Sequence, residues 1–408
     1  MRGLLVFIFT LCFLFNSTLA QAISKDSDLK AVCSQVTAAS AILMDLKSGQ
    51  ILFERKPHDR LAIASITKIM TAMVAIEKGD LDSVITVGPE VLDRKDLYGT
   101  LIYLSPGEKF TLRQLLAALL MNSANDAAVT IAESVGGTKE NFVQMMNQKA
   151  KDLGLKNTHF TNPHGLSEIG HYSSAYDMAM ITRYGLEKPT LAEIVKTKIA
   201  QFPRKQGMMP DSLQNHNKLL WQYDGANGVK TGYTDLAGNT LVASATRHER
   251  KLLVVILKGT SAAAVYQDAG NLLDYGFNQF NNQLIASKNQ VINSVNLGKG
   301  QTLNLIPKID IYGTFSNSTF KQDFELKAIP VNINLPVEAG DELGRVDVYF
   351  EGDVIQSVPL VAYNSISLSR SNNIKYFLFG GILLFFLYII RRILHYVRLR
   401  RRRRIFYR

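Results

Sequence analysis

A serine and a lysine three residues apart open an apolar run, Ala64-Ser65-Ile66-Thr67-Lys68-Ile69-Met70-Thr71-Ala72-Met73. If the run is helical, residues three apart share a face, and the Lys68 amine reaches the Ser65 hydroxyl. A serine in the first turn also sits beside unpaired N–H groups and the positive helix end, which favour developing negative charge. That makes a nucleophile with its base. The spacing alone carries little weight, because Ser27–Lys30 and Ser318–Lys321 repeat it. Two more triplets follow in order, Ser123-Ala124-Asn125 and Lys230-Thr231-Gly232. Ser-x-Asn recurs at Ser287, Ser294 and Ser371, whereas Lys-Thr-Gly occurs once.

These residues need elements to hold them. Ala41–Asp45 and Ile51–Glu54 flank a Gly-containing turn and read as a β-hairpin. The Ser65 helix should stop near Gly79. Ile85–Val87 and Leu101–Leu104 read as short strands, and Thr111 caps an apolar helix over Leu112–Leu120. The Ser123 triplet then interrupts two apolar runs, so it should form a polar loop between helices. Helical patterns continue over 127–135, 141–153 and Ser174–Tyr184. Lys230 lies in a Gly-rich β stretch, followed by strand-like Leu241–Ala245 and Leu252–Leu257 and by an amphipathic helix over Ala263–Phe280. Strands at both ends with helices between imply an α/β (α+β) fold, one antiparallel sheet packed with helices. From about Gln283 short alternating segments punctuated by Gly and Pro suggest a small all-β domain, with a spacing or recognition role.

The chain has 408 residues, 47% apolar and 20% charged, enough for two domains with cores. Its +11 charge does not point to nucleic acid. Nine arginines lie in residues 391–408 with no acid among them, and Arg2 is in the leader, which leaves +1 for residues 23–390. Arg2, the apolar Leu4–Phe15 and Ala20-Gln21-Ala22 read as an export signal over 1–22, with Thr18-Leu19-Ala20 a second cleavage candidate. Export removes Cys12 and leaves Cys33 as the single cysteine, which cannot form an internal disulfide and has no paired base nearby. Near the other end, Tyr376–Ile390 is fifteen residues without a charge. That is short of a span of about 20 residues unless Arg391 and Arg392 snorkel. The segment 374–394 therefore reads as a membrane-spanning helix, or alternatively as one lying on anionic lipid. In the spanning case the basic tail 395–408 faces the cytoplasm and the body lies outside.

Order and context lift the three triplets above chance. Together with Asn162-Pro163-His164-Gly165-Leu166 and Gly228–Gly238, they make residues 35–370 resemble the serine penicillin-binding proteins, and among them the low-molecular-mass D-alanyl-D-alanine carboxypeptidases. The resemblance implies a DD-peptidase/β-lactamase-like catalytic domain over 23–282, an all-β domain over 283–370 and a C-terminal anchor. It implies a cell-membrane enzyme facing the extracytoplasmic (periplasmic) side, acting on peptidoglycan stem peptides and acylated by β-lactam antibiotics. Its contacts with membrane lipids would run through the C-terminal helix and tail. No ligand cluster calls for a metal or organic cofactor.

Acyl transfer then assigns roles. Ser65 attacks, and Lys68 takes its proton only if its pKa falls from about 10.4 toward neutrality, as burial and a second cation, Lys230, would make it do. Ser123 is suited to relay a proton between the lysines and the leaving amine. Lys230 offers charge to a free carboxylate, Thr231 and Thr234 offer hydroxyls, and Asn125 orients the peptide. By resemblance the oxyanion hole is the N–H of Ser65 and of Tyr233, beside Gly232. Loss of one such donor costs about 3 kcal/mol of transition-state stabilisation. In the family an arginine beyond the Lys-Thr-Gly strand also binds the terminal carboxylate, with Arg250 the candidate here and Arg247 and Lys251 its competitors. His164, Asp126 and Asp235 read as loop-orienting groups.

Removal of a terminal D-alanine is the leading activity. A D,D-endopeptidase acting on cross-links would use the same residues. A β-lactamase of class A would need a further carboxylate, and no Glu-x-x-x-Asn arrangement stands between Ser123 and Lys230. A non-catalytic cell-wall binder would not need the full set of Ser65, Lys68, Ser123 and Lys230.

Overall fold

Alternating side chains decide the central sheet. Along β1 (Ser40–Asp45), Ile42 and Met44 enter one core while Ala41 and Leu43 enter another. The same split divides Leu253, Val255 and Leu257 from Leu252, Val254 and Ile256 on a second strand. A strand with apolar residues on both faces must be covered on both, so the sheet lies between two helical layers.

In the computed structural model the described residues are 34–93, 97–204, 210–298, 300–317, 324–331, 333–350, 352–367 and 373–405, with side chains of the last helix described over 378–398. The export signal over 1–22, Cys33, both decoy Ser-x-x-Lys pairs and most of the linker near residue 370 lie outside them.

β1 and β2 (Ile51–Arg55) form the expected hairpin. A 3₁₀ turn, Ala64–Thr67, runs into α1 (Lys68–Lys78), which ends at Gly79. β3 (Val84–Thr86) pairs with β4 (Lys109–Thr111) as a small ribbon. Leu101–Leu104 is not a strand, contrary to its pattern. The Ile102 and Leu104 N–H groups donate to the Asp126 carboxylate at 3.2 and 2.9 Å instead of to a neighbouring strand. α2 (Leu112–Met121) opens on a capping box, in which Thr111 and Gln114 satisfy each other's backbone N–H. α3 (Asn125–Gly136), α4 (Lys139–Asp152), α5 (Ala175–Leu186) and α6 (Pro189–Lys196) complete the layer around α1.

The ribbon of β5 (Ile199–Gln201) and β6 (Ser212–Gln214) and the single turn α7 (Leu219–Gln222) lead back to the sheet. Its remaining strands are β7 (Ala226–Thr234), β8 (Gly238–Arg247) and β9 (Arg250–Gly259), and the order is β2-β1-β9-β8-β7. α8 (Ala262–Gln279), capped by Ser261, covers the second face. β7 is therefore an outer strand, and among the described residues the N–H groups on its free side have no strand partner. That edge is where the site forms.

Beyond α8 the chain is β-structure. β10 (Phe280–Ala286) pairs with β13 (Ile311–Ser316). β11 (Asn293–Asn296), β12 (Thr302–Pro307), β14 (Phe324–Pro330), β15 (Glu342–Phe350) and β16 (Asp353–Ala362) form a sheet in the order β11-β12-β16-β15-β14. Among the described residues, compact packing gathers those up to Ser287 with those within Ile309–Lys327 and Asp347–Ser357 in one unit, and those within Lys288–Lys308, Ala328–Val346 and from Val358 onward in another. The final helix, α9 (Asn373–Ile405), contains Leu378–Arg398, a stretch long and apolar enough to cross a membrane.

Candidate active site

The 3₁₀ turn places Ser65 and Lys68 more directly than an α-helical turn would, because residues three apart eclipse in that geometry. Lys68 Nζ lies 2.9 Å from Ser65 Oγ, 2.6 Å from Asn125 Oδ1 and 2.6 Å from the His164 carbonyl oxygen. Two of these three neighbours are carbonyl oxygens, which only accept. A neutral amine has two N–H groups and one lone pair. Both protons must therefore go to Asn125 and His164, which aims the lone pair at the Ser65 hydroxyl. Asn125 is fixed in this orientation because its Nδ2 donates to the Tyr98 carbonyl at 2.6 Å.

Electrostatics favour that neutral amine. Lys68 is fully buried, and burial, then the charge of Lys230, push its pKa well below the ordinary value, with Asp126 opposing. Burial alone brings Lys230 down to about 7. Its Nζ donates to the Thr231 carbonyl at 2.9 Å. Burial and the charge of Lys230 thus keep the proton affinity of Lys68 low, as a base acting near neutral pH requires.

Ser123 arrives by a tight connection between α2 and α3. It occupies the left-handed region at φ 61°, is nearly buried, and borders the same cleft as Ser65. Such a conformation costs about 1–3 kcal/mol in a non-glycine residue and persists only where its surroundings over-determine it. Here the Asn125 N–H donates to the Thr100 carbonyl at 2.8 Å, and the Ala124 N–H to that of Ala118 at 3.2 Å.

β7 closes the site from the other side. A Cβ on Gly232 would stand 2.8 Å from Ser65 N and 2.6 Å from Thr240 Oγ1, so only glycine lets the strand lie against the nucleophile. Thr231, Gly232, Tyr233 and Thr234 line the resulting cavity of about 400 Å³ together with Ser65, Ser123 and Asn125. Thr234 Oγ1 accepts a hydrogen bond from Ser167 at 2.9 Å, and Tyr233 donates its hydroxyl to Asp235 at 3.0 Å. Ser65, Ser123, Asn125, Thr231 and Gly232 therefore meet at one cavity, with Lys68 hydrogen-bonded to Ser65 and Asn125 and Lys230 buried beside Thr231.

Arg250 does not. It pairs across the β8–β9 turn with Arg247, whereas Thr234 pairs with Gly238 at the opposite end of β7 and β8. Its guanidinium lies 3.6 Å from the buried Asp45 carboxylate and donates to the carbonyls of Gly276 and Phe280. Arg247 is engaged with Asp274 at 3.1 Å over the Tyr223 ring, and Lys251 sits beside it at the same end of the sheet. Among the described residues lining the cavity there is no arginine. Sequence pattern could not see this, because strand register decides which end of a hairpin a residue occupies.

Two side chains near the site, His216 and Arg204, carry no sequence signal, whereas His164 and Asp126 read as loop-orienting groups. His216 lines the cavity, and burial, then Lys230, lower its pKa to about 4, so it is a neutral imidazole at neutral pH. The His164 carbonyl, not its ring, is what Lys68 uses, and the ring Nδ1 accepts from the Leu166 N–H at 3.2 Å. Asp126 accepts three backbone N–H groups, two of them from the loop over 97–108. Arg204 clamps that loop by donating to the carbonyls of Ile102 and Tyr103 at 2.7 and 2.9 Å and to Glu108.

A buried lysine between a serine and an amide, facing an edge strand across a cleft, is an acyl-transfer arrangement. Residues 25–261 match the family profile described as D-alanyl-D-alanine carboxypeptidase. The chain belongs to the D-alanyl-D-alanine carboxypeptidase family. Residues 280–367 match a second profile, the C-terminal domain of penicillin-binding protein 5. The carboxypeptidase DacF of Bacillus subtilis is 34% identical over 335 residues, covering 80% of this chain and 85% of that protein. The carboxypeptidase DacA of Escherichia coli K12 is 32% identical over 348 residues, covering 81% and 84%. The crystal structure of penicillin binding protein 5 from Haemophilus influenzae superposes with a TM-score of 0.67 at 30% identity, covering 82% of this carboxypeptidase-family chain and 98% of that one. The fold and the serine hydrolase class read from the motifs agree with these relatives.

Proposed function

We propose that this protein removes the terminal D-alanine from peptidoglycan stem pentapeptides through an acyl-enzyme on Ser65. The observation that supports this most directly is the placement of Lys68 Nζ 2.9 Å from Ser65 Oγ, with acceptors from Asn125 and His164 on its other sides. Ser65 attacks the penultimate D-alanine carbonyl as Lys68 takes its proton. The oxyanion is held by the N–H groups of Ser65 and Tyr233. Ser123 passes the proton to the leaving amine, and water then hydrolyses the ester by the reverse path. Asn125 orients the acyl side of the peptide. Lys230, Thr231 and Thr234, with Gly232 giving them their closeness, receive the terminal carboxylate. β-Lactams, which present a carboxylate beside a strained amide, acylate the same serine.

In this reading residues 1–22 direct export and are removed, 23–282 form the catalytic domain and 283–370 an all-β domain. The helix over 374–394 holds the enzyme in the cell membrane with its site on the extracytoplasmic side, and the basic tail 395–408 meets anionic lipid on the other. The deciding experiment is labelling with a fluorescent penicillin. Wild type should carry a covalent adduct and Ser65→Ala none, and an adduct on Ser65→Ala would remove the nucleophile assignment.

One observation favours a second reading, D,D-endopeptidase action on cross-links. The cavity offers a carboxylate the hydroxyls of Thr231 and Thr234, with no guanidinium among its described lining residues. Selection for chain ends rests on fewer charges than a bidentate arginine would provide. Release of D-alanine from pentapeptide, compared with cleavage of cross-linked dimers, separates the two.

A further inference from the structure

Ala64, the residue before the nucleophile, has φ 50°, in the left-handed region that a residue with a Cβ rarely adopts. Its carbonyl oxygen belongs to the same planar peptide unit as the Ser65 N–H. In a trans peptide the C=O and N–H point in opposite directions, so whatever holds the Ala64 oxygen also aims the Ser65 N–H. Two groups hold it. Thr67 Oγ1 donates to the Ala64 oxygen at 2.8 Å. The Gly165 backbone presses against it so closely that a Cβ there would stand 2.0 Å from that oxygen.

The direction of the Thr67 hydroxyl is itself fixed. His171 Nε2 lies 2.8 Å from Thr67 Oγ1. The Thr161 N–H donates to His171 Nδ1 at 3.1 Å, so Nδ1 carries no proton and the neutral ring's proton is on Nε2. Burial keeps that ring neutral, its pKa falling to about 4. Nε2–H therefore donates to Thr67, and Thr67 has only the Ala64 carbonyl left for its own proton. The nearby turn at Asn162–Leu166 is closed by the Asn162 side chain, which accepts from the Gly165 N–H at 2.7 Å and donates to the Leu166 carbonyl at 3.0 Å. Thr71 docks the same turn onto α1 by donating to the Pro163 carbonyl at 2.6 Å.

We infer that His171 and Thr67 are positioning residues for catalysis: their directed hydrogen-bond chain holds the Ala64–Ser65 peptide in the orientation that presents the Ser65 N–H to the oxyanion. This rests on the reading of Ser65 as nucleophile with its own N–H in the oxyanion hole. Neither side chain lines the cavity, so neither touches substrate. Breaking the chain lets Ala64 relax to an ordinary conformation, and the peptide turns its donor out of the hole.

Thr67→Val keeps shape and loses the hydroxyl, while Thr67→Ser keeps the hydroxyl. In the full-length protein the valine variant should lower both the penicillin acylation rate and kcat for pentapeptide by about 10²-fold, the loss typical of one oxyanion donor, with KM changed by less than about threefold. The serine variant should stay within about threefold of wild type in the same measurements. His171→Gln retains a donor near Nε2 and should keep more activity than His171→Met, which has none; this pair carries the test if Thr67→Val does not fold. Equal losses in serine and valine variants, a loss confined to KM, or wild-type acylation by Thr67→Val would overturn the inference. Ser65→Ala serves as the control. If it still takes up penicillin, the nucleophile reading fails; if it is inert while Thr67→Val reacts normally, only the positioning role fails.

Discussion

A base at Lys68 has to be an uncharged amine, and burial together with the charge of Lys230 favours that state. Lys68→Arg would place a group that stays protonated at neutral pH in the same pocket, so penicillin acylation should fall by about 10²–10⁴-fold, the usual contribution of a general base. Stopped-flow acylation at pH 7 checks this. Lys230 offers a sharper test. Its charge disfavours protonation of Lys68, so Lys230→Met should raise the pKa of Lys68. The acid limb of the acylation profile should then move to higher pH, since more base is needed to strip Lys68 of its proton. An unmoved limb would mean that the two lysines do not sense each other. In the wild type Lys230 titrates near pH 7, so KM for a carboxylate-ended peptide should rise as pH passes above that value and the charge is lost.

At the scale of elements the site depends on how closely β7 can lie against the turn at Ser65. Gly232→Ala puts a methyl group 2.8 Å from a backbone nitrogen that has no freedom to move aside. Acylation should drop at least tenfold, by about 1.4 kcal/mol or more in barrier, while far-UV circular dichroism keeps its native form. The hairpin of β8 and β9 makes an opposite prediction for Arg250. Asp45 is fully buried, and Arg250 is the cation beside it. Arg250→Ala should therefore cost about 3 kcal/mol of stability, as breaking a buried pair does, and leave KM for pentapeptide unchanged. A raised KM in a protein of normal stability would return Arg250 to the substrate. The elements themselves were largely legible. Thr111 and the period of the apolar residues announced α2, and Gly79 announced the end of α1. Leu101–Leu104 misled because a carboxylate, Asp126, took the N–H groups that a strand partner would have used, and no local pattern reports such a distant acceptor.

The whole molecule joins this site to a helix with a stretch, Leu378–Arg398, apolar enough to span a membrane. A chain ended after residue 367 should appear in the soluble fraction and still take up labelled penicillin, whereas the full chain should sediment with membranes. Sedimentation of the shortened chain would assign membrane attachment to some other surface. What the sequence offered by itself was the family and a set of candidate groups, the serines, lysines and amide that acyl transfer calls for. It also fixed the alternation that makes a two-faced sheet, since that pattern is written residue by residue. Tertiary structure decided what rests on distance and direction. It set the two acceptors that aim the Lys68 lone pair, the strand register that carries Arg250 away from the cleft, and the approach of Gly165 and Thr67 to a single carbonyl. Those contacts join residues far apart in the chain, Lys68 and His164 being separated by 96 positions. A chain records its neighbours in order, but hydrogen-bond geometry exists only once the fold has brought such residues within 3 Å.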